Sequence, residues 1–134
     1  MTLIDTSAWI EFFRPKGDTH FKSLVRDLVV IKQAAYTCPV AFELVTGARK
    51  EEMDDLRTAL DLATRVALLP EHWDMAGSMN AALRTKGVNL PASDLLIAIV
   101  AHSFKMPILA KDAHFETIRE SCLPELKIIS PHLP

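Results

Sequence analysis

The sequence predicts an α/β fold, a parallel sheet covered by helices on both faces. Short apolar runs rich in β-branched residues alternate with amphipathic stretches along the whole chain, the pattern of strand–helix units. The apolar runs are near-continuous rather than alternating with polar residues, as in strands buried on both faces. The chain has 134 residues, 49% of them hydrophobic, which fits one domain spanning 1–134 with a real core.

The elements follow in order. Residues 1–5 read as a first buried strand, and Ser7 to Arg14 as a short helix stopped by Pro15 and Gly17. Asp18 caps a second helix to about Lys32, with Phe21, Leu24, Val25, Leu28 and Val29 at helical spacing. Ala35-Tyr36-Thr37 is a brief strand. Pro39 starts a helix that runs to about Arg49, weakened near its end by Gly47. Glu51 to Thr64 is helical, Arg65 to Leu69 a strand ended by Pro70, and Glu71 to Lys86 a helix stopped by Gly87. Pro91 to Lys105 forms a helix with a buried middle. Ile108-Leu109-Ala110 is a strand, Asp112 to about Glu120 a helix, and Leu126 to Ile129 a last strand.

Four acids stand where acids are costly, beside apolar runs. Asp5 follows the first strand, and Asp112 follows Pro107-Ile108-Leu109-Ala110. Asp94 opens Leu95 to Ala101, and Glu43 lies inside Pro39 to Val45. Helix capping accounts for Asp5, for Ser93 or Asp94, and for Asp112 taken singly. It does not account for Glu43, whose helical neighbours Pro39, Val40, Thr46 and Gly47 offer no cation. In a parallel sheet, strand ends and helix starts meet at one edge, where ligands bind. Four carboxylates there suit Mg²⁺ or Mn²⁺, which favour oxygen donors. Two such ions about 3.5–4 Å apart activate a water and stabilise a leaving phosphodiester oxygen. Thr6 and Ser7 read either as caps or as groups that orient a ligand or a water.

Composition narrows the classes further. The mean hydropathy is positive, which argues against disorder. The longest apolar run is too short to span a bilayer. The N-terminus carries Asp5 and Glu11 and lacks the basic region of a signal peptide. Cys38 and Cys122 form no framework, which points to a reducing, cytoplasmic setting. The five histidines lack zinc-ligand spacing. Net charge is −2, which does not advertise nucleic-acid binding. Yet Arg14, Lys16, Lys22, Arg26 and Lys32, with Arg84, Lys86, Lys105 and Lys111, read either as solvated surface or as flanks of an acidic cleft. His114 reads as a helix-surface residue or as an acid–base group beside Asp112. Trp9, Phe12 and Phe13 read as core or dimer packing rather than as platforms for bases.

These motifs resemble the PIN domain family. Leu3-Ile4-Asp5-Thr6-Ser7-Ala8-Trp9-Ile10 resembles its opening, and Glu43-Leu44-Val45-Thr46-Gly47 its E-L-x-x-G helix. Asp94-Leu95-Leu96-Ile97-Ala98 resembles its D-x-x-I-A segment, and Asp112-Ala113-His114-Phe115 its D-x-x-F segment. The four occur in family order over nearly the whole chain, and its length is similar to that of VapC toxins. The resemblance implies a five-stranded parallel sheet in a three-layer sandwich. It implies an Mg²⁺- or Mn²⁺-dependent endoribonuclease with Asp5, Glu43, Asp94 and Asp112 as catalytic and metal residues. It also implies RNA as substrate, a homodimer and inhibition by a VapB-like antitoxin. Ala110 departs from the Thr or Ser that many relatives place two residues before the fourth acid. A non-catalytic scaffold binding RNA or protein is the alternative reading. A phosphatase with Asp5 as nucleophile fits less well, because Ser7 stands where a second Asp belongs.

Overall fold

The computed structural model describes residues 1–131. Five parallel strands form one sheet in the order β3-β2-β1-β4-β5. They are β1 (Thr2–Ile4), β2 (Ala34–Thr37), β3 (Thr64–Val66), β4 (Ile108–Leu109) and β5 (Ile128–Ile129). The chain steps outward from β1 through β2 to β3, then returns to the other side of β1 for β4 and β5. Strand order therefore reverses between β1 and β4, the place where such sheets open a crevice at their carboxyl ends.

Helices α1 (Thr6–Phe13), α2 (Thr19–Val30), α3 (Cys38–Gly47) and α4 (Met53–Leu62) pack against one another. Helices α5 (Pro70–Thr85), α6 (Ala92–Ser103) and α7 (His114–Ser121) form a second packed group. Right-handed crossovers in opposite directions from β1 put the two groups on opposite faces of the sheet. Leu3, Ile4, Ile108 and Leu109 are fully buried between these layers, each side chain gaining about 1.5–3 kcal/mol from burial. Helix α6 is buried continuously from Asp94 to Ala101, as expected of a helix apolar on all sides. No helix among the described residues is long and apolar enough to cross a membrane.

The sequence reading locates every element, with shifts at boundaries that have local causes. Residues 50–52 form a 3-10 turn ahead of α4, with Glu52 accepting the Arg49 amide. Thr64 belongs to β3 rather than to α4, because its pairing with Ala35 fixes the register. Pairing ends at Val66, so residues 67–69 are not strand. Lys32 and Lys105 take left-handed conformations at φ 59° and 55°. They close α2 and α6 through bonds from Gln33 N to Leu28 O and from Met106 N to Ala101 O. Gly87, at φ 77°, closes α5 in the same way and without a side-chain penalty.

Trp9 is fully buried and stacks on Phe13 at 5.9 Å, so α1's rings are packing groups rather than stacking platforms. Lys22 is also removed from the surface pool of cations, because its ammonium binds the carbonyls of Glu11, Phe12 and Arg14 at the end of α1.

Candidate metal centre

Asp5 ends β1 and caps α1, so it is held from two directions. Its own amide donates to Leu109 O at 3.0 Å, which fixes it beside β4. Its Oδ2 accepts Ser7 N at 3.0 Å and Ser7 Oγ at 2.7 Å. The same Ser7 Oγ accepts Lys111 N at 2.9 Å and Asp112 N at 3.3 Å. One hydroxyl donates once and accepts twice, which uses its full capacity. Ser7 thus staples the carboxyl ends of β1 and β4 together and orients Asp5. It has no capacity left to orient a water.

Asp112 lies before α7 rather than within it. Its Oδ1 accepts His114 N at 2.8 Å, an Asx-type turn that leads into the helix. Asp94 sits in the first turn of α6 and makes no cap bond; the cap position is Pro91. The sequence reading of Ser93 or Asp94 as a cap is therefore replaced by a buried carboxylate facing the sheet edge. Asp94 Oδ2 lies 2.6 Å from His114 Nδ1, and Asp112 Oδ1 lies 2.9 Å from the same nitrogen. These three donor atoms all fall within 4.8 Å of one another.

Asp5 and Glu43 lie outside that tight trio; Asp5 is coupled to it by charge, and Glu43 to Asp5. Asp5 is raised above its ordinary range first by burial, with the Ser7 bonds opposing and the Asp112 charge adding. Asp94 is pushed up to about 6, by burial first and then by the Asp5 charge, with the His114 bond opposing. Glu43 is raised by partial desolvation and then by Asp5. It stands at the exposed rim, next to a groove of about 600 Å³ that Ile10, Phe13, Arg14 and Arg49 also line. The Thr6 hydroxyl favours the charged form of Glu43 by proximity, yet it is buried and makes no hydrogen bond of its own. No Lys or Arg forms an ion pair with any of the four acids among the described residues.

The sequence reading gave Glu11 no role at the site and saw only part of the surroundings of His114. Glu11 is buried, accepts Asp18 N at 3.0 Å and pairs with Lys111 Nζ at 2.5 Å. The Lys111 bond holds its carboxyl below the usual range, helped by the Asp18 amide. Lys111 is thus engaged in tying the Asp112 loop to α1 rather than free to flank a cleft. Glu11 falls one turn beyond Ser7 on α1, a spacing that places both on one face; the partner a hundred residues away gives no local signal. His114, read from the sequence as a helix-surface residue or an acid–base group beside Asp112, also meets Asp94, which arrives from α6 and gives no signal near it in sequence.

The donor set fits a divalent cation. Carboxylates that raise one another's pKa, with no Lys or Arg ion pair among the described residues, are what a hard cation relieves. Residues 2–121 match the family described as PIN domain, a span that holds all four acids. The chain belongs to the PIN domain family. Among curated relatives, a VapC ribonuclease of Mycobacterium bovis, Mb1587, is 33% identical over 127 residues, covering 88% of this chain and 91% of that protein. Ribonuclease VapC11 of Mycobacterium tuberculosis is similar to the same extent. Among solved structures, FitAcB from Neisseria gonorrhoeae superimposes with a TM-score of 0.77 at 17% identity, covering 99% of this chain and all of that one. VapBC2 from Rickettsia felis, bound to promoter DNA, gives 0.73 at 17% identity and 96% coverage of both chains. At these identities the structural likeness establishes the PIN fold, a five-stranded parallel sheet with helices on both faces.

Proposed function

We propose that this PIN domain is a VapC-type endoribonuclease, the toxin of a type II toxin–antitoxin pair. It acts as one domain in the cytoplasm, through a divalent ion held by Asp5, Glu43, Asp94 and Asp112. The observation that carries this reading is mutual charge: Asp5, Glu43 and Asp94 are all raised, each in part by a neighbouring carboxylate of the same set. Mg²⁺ or Mn²⁺ matches the oxygen-rich donors. When bound, such an ion supplies Lewis-acid chemistry, lowering the pKa of water and offsetting charge on a phosphodiester.

The chain's own residues do the rest. Ser7 and the Leu109 carbonyl fix Asp5 at the point where strand order reverses. Asp94, raised to about 6 by burial and then by the Asp5 charge, is one of the carboxylates whose repulsion a bound cation would relieve. Asp112 is set by two anchors: its amide donates to Ser7 Oγ, and its carboxylate accepts from the His114 amide. Glu43, at the rim, adds negative charge where substrate enters. RNA as substrate, a VapB-like antitoxin as inhibitor and a homodimer as the assembly are the partners this reading carries. It is supported by the relatives' names as VapC ribonucleases.

Asp5→Asn keeps the shape and the capping bonds of Asp5 but removes its charge. Cleavage of RNA by the pure variant in Mg²⁺ should be lost while circular dichroism stays unchanged. Full retention of metal-dependent cleavage refutes the assignment.

A further inference from the structure

We propose that, in the metal centre put forward above, His114 Nδ1 is a direct ligand beside Asp94 and Asp112, which biases the site toward a first-row transition ion over Mg²⁺. The spacing is already that of a ligand set. Donors at right angles about an ion at roughly 2.1 Å stand about 3 Å apart, and Nδ1 lies 2.6 Å and 2.9 Å from the two carboxylate oxygens.

The ring is positioned rather than passing by. His114 N is bound to Asp112 Oδ1 at 2.8 Å, so the turn keeps imidazole and carboxylate on the same side. His114 starts α7, which Phe115 and Ile118 anchor with no exposed surface. The His114 side chain is 43% exposed, and its Nε2 makes no hydrogen bond to the protein among the described residues. Nε2 can therefore carry the ring proton toward solvent while the Nδ1 lone pair faces the ion. A histidine used only to neutralise two acids needs no such arrangement, because a Lys or Arg serves that purpose without a directed lone pair. Mg²⁺ binds oxygen donors and gains little from an imidazole, whereas transition ions gain from it.

The test uses the tag-free full chain with Mn²⁺ as the probe. Pulsed electron paramagnetic resonance of the Mn²⁺ complex should show the hyperfine coupling of one directly bound nitrogen. The coupling should vanish in His114→Ala. By calorimetry the Mn²⁺ dissociation constant of that variant should rise about tenfold, and the Mg²⁺ constant by no more than about twofold. Bound Mn²⁺ without nitrogen coupling overturns the proposal, and so does coupling that survives in His114→Ala or an equal loss for both ions. The wild-type spectrum decides even if the variant is unstable. Failure of Mn²⁺ to bind at all sinks the metal centre itself, a result distinct from binding through oxygen alone.

Discussion

Asp94→Asn should make the metal-free protein more stable near neutral pH, although it removes a group proposed to serve the reaction. The buried carboxyl is raised from 3.8 to about 6. Each pH unit of that difference is worth about 1.36 kcal/mol, so ionised Asp94 costs the folded state about 3 kcal/mol at pH 7.5. Its side chain is only 10% exposed, so solvent screening trims this little. The direction with pH is fixed by the raised value. Between 3.8 and about 6 the folded chain holds a proton that the unfolded chain has released. Wild-type stability from this group is therefore fully present below 3.8 and lost as pH rises through about 6. Asparagine has no such slope, and it keeps a polar side chain next to the His114 ring. Urea unfolding in EDTA should show the variant ahead by about 2–3 kcal/mol at pH 7.5 and level with wild type near pH 4. Mg²⁺ at a hundredfold excess over its dissociation constant should return about 2.7 kcal/mol to the wild type and much less to the variant. A gap that is absent, or that does not change with pH, refutes the electrostatic account of the site.

Three further outcomes test the frame around the acids. Ser7→Ala should cost about 1–3 kcal/mol in urea unfolding, because the Lys111 and Asp112 amides lose their acceptor; RNA cleavage should fall with it as Asp5 loosens. Gly17→Ala should cost at least the roughly 1–3 kcal/mol of an overpacked core, since a Cβ there would stand 1.9 Å from the Glu11 carbonyl oxygen; thermal melting reads this directly. Glu11→Gln should lower stability by less than about 2 kcal/mol, Lys111 being half exposed. Because the Glu11 carboxyl is held below its ordinary 4.5, that contribution is present above 4.5 and lost as pH falls through the lowered value, so the variant should show a flatter acid limb in denaturation.

The sequence was informative wherever a local rule carried the outcome. The apolar runs located the strands, and Pro15, Gly87 and Asp18 marked helix ends through backbone chemistry that acts over a few residues. The four acids stood out as candidates because each interrupts or borders an apolar run, which is unusual for a charged group. The roles around them were not legible. Ser7 read as a cap because its sequence neighbours suit one, yet its hydroxyl serves amides more than a hundred positions away. Nothing in the sequence marks Glu11 as buried, because its partner Lys111 lies on the loop after β4. His114 was weighed only against Asp112, because nothing in the order of residues announces that α6 delivers Asp94 to the same place.

The magnitudes at this edge explain why the acids remain in tension with one another. Asp5 at the start of α1 and Asp94 in the first turn of α6 both face the positive end of a helix. Such a dipole stabilises a carboxylate by about 0.3–1 kcal/mol, and each hydrogen bond to a charged group adds about 1.5–3 kcal/mol. Asp5 receives two bonds from Ser7 and is still raised; Asp94 has a dipole and one ring nitrogen and stands near 6. The fold gives these carboxylates partial charges and the His114 ring, and the ammonium of Lys111, the residue before Asp112, is turned to Glu11 instead. Turning Lys111 toward the acids would stabilise the resting protein and fill the space that a divalent ion requires. The Glu11–Lys111 pair therefore has two effects at once: it anchors the Asp112 loop, and it keeps the Lys111 charge away from the acids.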